Sequence, residues 1–402
     1  VSLDTGEVLY SNNTEAKMYP ASLTKIMTVT LMLESDKYNP DGKVAMTNEV
    51  QKLISGTGSA VSTIKVGEEI TQLDLVYTVL MSSFGDCAYL AAIYYGGSVE
   101  SFVDMMNAKA VELGLTGTHY SNPVGLHDEM TYTTVQDVYT LTKYALKNET
   151  FKTVCETPRY TIAATNMSPA RTISTTNFLQ DTTTNYYYQY AHGVKTGYTD
   201  EAGRCLVSTA SYNGYNYMCI LMNCPYNTGS RVEFTETANL YRWAFNNFSF
   251  KKVANSTDPV CEMPVELSLD TDFVSLYFEK PFITVLPNGA DDSTIVVKTK
   301  LNKESVEAPV KKGQVLGTAD IVYAEKVIGT VNLVAGNSVK ESKLLIALKY
   351  VKGFFTSAYM KIVYGIIAAA ILIFIILIIR LNFARIKKRK VKYIPYGKRK
   401  GD

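Results

Sequence analysis

The sequence predicts an α+β chain in consecutive parts. These are a domain of antiparallel sheet flanked by helices with a helical subdomain over 1–250, then a small β-sandwich over 251–345. A juxtamembrane linker at 346–361 leads to a transmembrane helix at 362–379 and a basic tail at 380–402. Three observations carry this. Helical apolar spacing dominates the first 150 residues and gives way after Pro158 to short strand patterns, a final helix and a strong hairpin signal. From about Lys251 every run is strand-like and recurs at about ten-residue spacing, with Pro, Gly and Asn between. Finally, IVYGIIAAAILIFIILII runs from Ile362 to Ile379 without a charge.

The length of 402 residues, 47% of them hydrophobic, suffices for one large domain and a smaller one. The net charge of +2 hides an asymmetry. From Arg380 onward there are ten Lys or Arg and one acid, against 40 and 38 in the whole chain, so the rest carries 30 basic and 37 acidic residues, about −7. An acidic body excludes phosphate-backbone binding as a main activity, and no nucleic-acid partner is expected. The 18-residue apolar run makes a helix of about 27 Å, near the thickness of a bilayer core. By the positive-inside rule the tail is expected in the cytoplasm and everything before Lys361 outside. Val1 opens inside a strand-like run, with a leader expected to have been removed.

Taken in order, VSLDTGEVLYSNN alternates about Asp4-Thr5-Gly6 and reads as a hairpin. A helix is expected from about Ser22, a helical pattern runs over 73–94, and another over 99–113. The stretch TTVQDVYTLTKYALK opens with a capping box, Thr133 to Gln136, and places Val135, Val138, Leu141 and Ala145 on one face. GRCLVSTASYNGYNYMCILMNC is a hairpin turning at Asn213-Gly214. TETANLYRWAFNNF follows as the last helix packing on that sheet. Six cysteines lie without a CxxC pair, and no zinc spacing is present, so no metal and no cofactor are expected. Cys205 and Cys219 fall on adjacent strands, with their pairing left open and small buried thiols the default.

Chemistry centres on Ser22-Leu23-Thr24-Lys25. Residues three apart on a helix share a face, so hydroxyl and amine can meet. A serine needs a base, and a lysine serves only when neutral. Apolar neighbours and a second cation lower its pKa toward about 7–8. Two other S-x-x-K matches, Ser62–Lys65 and Ser249–Lys252, do not open apolar helices. Downstream, Lys195-Thr196-Gly197 ends a strand, where Lys and Thr side chains beside a glycine make a carboxylate-binding edge.

The order S-x-x-K, a serine motif, then K-T-G resembles the penicillin-binding proteins and β-lactamases. YPASLTKIMT, SNPVGLHDEMTYTTVQD, TTNFL, GVKTGYTDEAGRCLVSTA and KKGQVLGTADIVYAEKVIGTVNLVA extend the likeness from Val1 to about Lys343. The chain is similar to the low-molecular-mass D-alanyl-D-alanine carboxypeptidases, serine peptidases with an appended β domain. That resemblance implies a β-lactamase/transpeptidase-like fold, with peptidoglycan stem peptide as substrate and β-lactam antibiotics as covalent ligands. It implies Ser22 as nucleophile, Lys25 as general base, Ser83 as proton relay, and Lys195 for electrostatics and the carboxylate. It places Thr196 and Gly197 in substrate binding, Tyr198 with Ser22 in a backbone oxyanion hole, and Arg231 as a second carboxylate ligand. Asn122 and His127 would shape the cleft wall, and the NYYYQY tyrosines would pack a loop. The middle motif departs: Ser83-Phe84-Gly85 has glycine where the family has asparagine, so the side-chain amide expected to anchor the substrate is missing. Reading Ser82 as the motif serine puts Phe84 third and does no better. Two other readings stay open, a β-lactamase, for which no E-x-x-x-N segment is evident, and a non-catalytic wall-binding scaffold.

Overall fold

The computed structural model describes residues 1–388 apart from Thr228. The last fourteen residues of the expected basic tail therefore lie outside the described residues. The chain divides into two compact units, one of Val1–Lys252 with Ile283–Asp292, the other of Val253–Phe282 with Ser293 onward.

In the first unit a 3-10 turn, Ala21–Thr24, leads into helix α1 (Lys25–Glu34). The pair β1 (Lys43–Ala45) and β2 (Glu69–Thr71) brackets α2 (Asn48–Ile54). Then come α3 (Gln72–Leu80), α4 (Gly85–Gly96), α5 (Val99–Glu112), α6 (Val135–Ala145) and α7 (Glu149–Glu156). A small hairpin, β3 (Arg159–Ile162) and β4 (Arg171–Ser174), precedes the main sheet. That sheet has the order β5 (Ala191–Thr199), β6 (Gly203–Tyr212), β7 (Tyr215–Cys224), all antiparallel, and α8 (Val232–Asn247) follows. Two further strands, β8 (Phe248–Ala254) and β11 (Phe282–Pro287), pair with each other.

Period-2 alternation gives the sheet two apolar faces. Cys205 and Val207 on β6 and Met218 on β7 join the core built by α1 to α7, while Leu206, Ala210 and Tyr217 pack against Phe234, Ala238 and Tyr241 of α8. Helix α1 lies at the centre of the larger core: Ile26, Met27, Val29 and Met32 are fully buried. Each such side chain contributes about 1.5–3 kcal/mol on burial, so the helix carrying Lys25 is held firmly.

The hairpin at Asn213-Gly214 forms with both residues at positive φ, 50° and 83°, as a type I′ turn requires. Three local expectations are corrected. The first thirteen residues do not form a two-stranded hairpin: only Ser2 bridges to Tyr217, with Leu3 N–H donating to Asn216 and Met218 N–H donating to Val1. The turn at Asp4-Thr5-Gly6 does close, with Ser2 N–H donating to the Glu7 carbonyl and Gly6 N–H to the Ser2 carbonyl, but no second strand follows it. The helical pattern over 73–94 is broken at 81–84, where Ser83 has φ 62° and cannot continue a right-handed helix. The cap of α6 is Thr134, whose Oγ1 accepts from Asp137 N at 3.0 Å, one residue after the Thr133 box read from sequence. Cys205 and Cys219 do sit on adjacent strands, but Cys219 is opposite Ser208, and all six cysteines are free thiols.

The second unit also contains β9 (Pro259–Glu266), β10 (Phe273–Phe278), β12 (Ile295–Leu301), β13 (Val306–Glu307), β14 (Val315–Tyr323) and β15 (Lys326–Ala335). Where two sheets of a sandwich were expected, the described strands join in one six-stranded order, β12-β14-β15-β10-β9-β13. Register shifts at Leu276/Tyr277, Val315/Gly317 and Ile321/Val322 interrupt the ladder, and such bulges bend a sheet. Its inward residues, among them Met263, Leu276, Ile321 and Leu333, form one core. Helix α9 (Lys343–Thr356) has no buried residue. Helix α10 (Ala358–Lys388) is longer than the run read from sequence, and Ala358–Ile386 is long and apolar enough to cross a membrane.

Candidate active site

Ser22 sits in the 3-10 turn, half-buried, one residue after Ala21 at φ 45°. A non-glycine residue in that region costs roughly 1–2 kcal/mol, and the surroundings show what enforces it. Gly125 (φ 83°) lies so close that a Cβ there would fall 1.9 Å from the Ala21 carbonyl oxygen. On the other side, a Cβ on Gly197 would come within 3.0 Å of the Pro20 oxygen and 3.2 Å of Ser22 N. Two glycines from distant segments thus clamp the turn that carries Ser22.

Lys25 Nζ lies 2.9 Å from Ser22 Oγ and donates to the Val124 carbonyl at 2.7 Å. The second bond fixes the amine so that its remaining valence faces the serine. Lys25 is 0% exposed, and burial lowers its pKa to about 7, partly countered by the Asp86 carboxylate. The loop that supplies Val124 is folded by Asn122, whose Oδ1 accepts from the backbone N–H groups of Val124, Gly125 and Leu126. Thr28 Oγ1 donates to the Pro123 carbonyl of the same loop. Asn122 therefore builds the wall, as the sequence suggested. His127 stands at its rim, its ring edge-on to Tyr19 and 3.9 Å from Glu201.

Lys195 is 1% exposed, and its Nζ donates to the Thr196 carbonyl at 3.1 Å. Burial and the neighbouring Lys25 charge push its pKa well down. From sequence, burial and a nearby cation were expected to depress Lys25. Burial leads for both lysines, but the charge effect falls on Lys195, lowered by Lys25, and Lys195 is not among the causes that lower Lys25. Strand β5 is an edge strand among the described residues, and its Gly197 lies against the Ser22 turn. Tyr198, 45% exposed, follows on that edge, with its hydroxyl on Asp200 and its ring edge-on to Tyr226.

The two serines of the second motif separate cleanly. Ser82 Oγ donates to the Ser174 carbonyl at 3.0 Å and is committed to structure. Ser83 Oγ has no side-chain hydrogen bond among the described residues and makes none to Ser22 or Lys25. Gly85 now has a physical reason. A Cβ there would lie 2.3 Å from Ser59 Oγ and 2.9 Å from Ile54 Cδ1. The 57–62 segment closes over that position: Gly85 N–H donates to Ala60 O at 2.7 Å, and Ser62 donates its N–H and hydroxyl to buried Asp86. An asparagine does not fit unless this segment retreats. Ser62, one of the competing S-x-x-K serines, is thereby accounted for.

Arg231 caps α8, with Nε 2.6 Å from buried Glu233 and its guanidinium over Phe178 and Phe234. Arg204, which sequence reasoning passed over, reaches the same carboxylate at 3.8 Å and covers the Tyr198 ring. The register that sets Arg204 opposite Tyr198 was the signal available for it. The tyrosines of NYYYQY mostly pack: Tyr186 stacks on Phe178 and Tyr188 on Tyr241. Thr176 and the Val124 carbonyl were also missed, since both act across long sequence separations.

The sheet-and-helix fold thus sets a fully buried lysine 2.9 Å from a serine hydroxyl on the turn that opens α1. Residues 1–225 match the D-alanyl-D-alanine carboxypeptidase family profile, more than half of the chain, and the chain belongs to that family. Residues 249–341 match the C-terminal domain of penicillin-binding protein 5. Among relatives, D-alanyl-D-alanine carboxypeptidase DacF of Bacillus subtilis is 28% identical over 359 residues, covering 89% of this chain and 88% of the relative. A Streptomyces K15 D-alanyl-D-alanine carboxypeptidase is 33% identical over 220 residues, covering 52% and 74%. Penicillin-binding protein 5 from Haemophilus influenzae superposes with a TM-score of 0.66 at 26% identity, covering 85% of this chain and 96% of that one.

Proposed function

We propose that this chain is a serine-type D-Ala-D-Ala carboxypeptidase that removes the terminal D-alanine from peptidoglycan stem pentapeptides through an acyl-enzyme on Ser22. The observation that carries it is the 2.9 Å contact between Ser22 Oγ and a fully buried Lys25 whose pKa is lowered to about 7. The terminal carboxylate of the substrate binds Lys195 and Thr196, with Arg231 adding positive charge at the rim. A bound carboxylate favours the Lys195 ammonium, and that charge keeps Lys25 neutral. Neutral Lys25 takes the Ser22 proton as Oγ attacks the penultimate D-Ala carbonyl. The developing oxyanion accepts from the backbone N–H groups of Ser22 and Tyr198, beside which Gly197 permits close approach. Ser83 gives its proton to the leaving amine and takes the proton held by Lys25, which restores the neutral base; D-alanine departs, and water hydrolyses the ester with Ser22 Oγ as the leaving group. β-Lactams acylate the same serine. Helix α10 crosses the membrane, leaving the catalytic unit outside the cell and the basic tail in the cytoplasm.

The test is an intact mass after exposure to benzylpenicillin. A long-lived adduct mapped to Ser22 supports the carboxypeptidase. Rapid drug turnover would support a β-lactamase, and no adduct with any β-lactam would leave the scaffold reading.

A further inference from the structure

Thr176 lies on the turn after β4, in the stretch TTNFL, and nothing in the reaction above uses it. Its Oγ1 is 2.6 Å from Thr196 Oγ1 and 3.5 Å from the Met81 carbonyl, and its backbone N–H donates to that same carbonyl at 3.2 Å. One residue thus touches both the K-T-G strand and the turn that carries Ser82 and Ser83. Its own position is fixed. Asn177, 2% exposed, donates from Nδ2 to the Gly193 carbonyl of β5 at 2.8 Å, and its Oδ1 accepts from Leu179 N–H.

A hydroxyl holds one proton and can accept as well as donate. In the Thr176–Thr196 pair one hydroxyl must donate to the other. If Thr196 donates to Thr176, the Thr176 proton is free for Met81, and Thr196 has none left for a ligand. If Thr176 donates to Thr196, the Thr196 proton is free to point into the cleft. That reversal gives up only the hydroxyl's hydrogen bond to Met81, which is long and weak at 3.5 Å, whereas a hydrogen bond to a carboxylate is charge-assisted and strong.

We propose that Thr176 is a positioning residue for recognition of the substrate's terminal carboxylate: it donates its hydroxyl proton to Thr196 Oγ1 and so releases the Thr196 proton to the carboxylate. The inference rests on the carboxypeptidase reading, which assigns Thr196 to that carboxylate. Threonine and serine can both do this, while valine keeps the shape and loses the donor.

The experiment uses the full chain in detergent and measures acylation rate constants at Ser22 by intact mass, with benzylpenicillin and with its methyl ester, which lacks the carboxylate charge. Thr176→Val leaves Thr196 Oγ1 without the donor that orients its proton toward the carboxylate and is expected to slow acylation by the acid about fivefold, the order of one neutral hydrogen bond. It should change acylation by the ester less than about twofold, and Thr176→Ser should restore the acid rate. If Thr176→Val does not fold, Thr176→Ala carries the same comparison. Equal slowing of acid and ester, or no slowing of either, overturns the inference while leaving the acyl-enzyme reading intact. No adduct on the wild-type protein overturns both.

Discussion

Lys25 determines how the site responds to pH. Its neutral form is the base, so acylation of Ser22 at saturating benzylpenicillin should fall as pH drops through about 7 and level off above it. A flat profile from pH 5 to 9 would refute the assignment. Stability moves with the same proton. The folded chain binds it less tightly than the unfolded chain, whose lysine titrates near the ordinary value of 10.5, so between about 7 and 10.5 this residue makes the fold more stable as pH rises. Lys25→Met should lose acylation by a factor of about 10² to 10⁴ yet melt above the wild type at pH 6, with the difference narrowing by pH 9. Ser22 and Lys25 were legible in sequence because their pairing is local, three residues apart on one turn. The partners that complete the site were not: Val124 lies 99 residues from Lys25, and Thr176 lies 20 residues from Thr196. Such pairings follow from strand order and loop packing, which no local pattern encodes.

At the scale of elements, the site depends on segments seated against each other at glycines. The 57–62 segment accepts the first N–H of α4 at the Ala60 carbonyl, since Phe84 offers no side-chain cap, and Ser62 donates to the Asp86 carboxylate of the same first turn. Gly85→Asn should drive a side chain into Ser59 and Ile54 and destabilise the protein by about 1–3 kcal/mol, as overpacking does. Adding Ser59→Gly should recover part of that stability in a denaturant melt. An unchanged melt for the single variant would mean that the segment is loosely seated. Gly125→Ala faces a backbone atom rather than a side-chain tip and also needs positive φ. It should lower both stability and penicillin acylation, and a second change at a side chain should not rescue it. The sequence identified Gly85 as a departure from the family pattern, but only the packing against Ser59 explains it. The N-terminal hairpin misled for the opposite reason. Its turn closes between Ser2 and Glu7, but the bridge that its first residues make is to β7.

For the molecule as a whole, composition was a better guide than local pattern. The apolar run was visible by inspection, and the described helix extends it in both directions. Full-length chain should sediment with membranes and resist extraction by alkaline carbonate, while a chain stopped before Ala358 should appear in the soluble fraction. Carbonate extraction of the full-length chain would contradict a spanning helix. The strand content after Lys251 was equally plain, but the return of residues 283–292 to the first unit was not. Nothing in their composition separates them from the β runs on either side.

The two buried lysines have a consequence for anything that binds between them. With the cleft empty, burial disfavours the ammonium form of both lysines. An anionic ligand that restores the Lys195 charge must draw a proton from the solvent as it docks. The heat of binding then depends on which buffer surrenders that proton. Tight carboxylate ligands should also weaken as the medium becomes more alkaline, even though the catalytic base is then fully available.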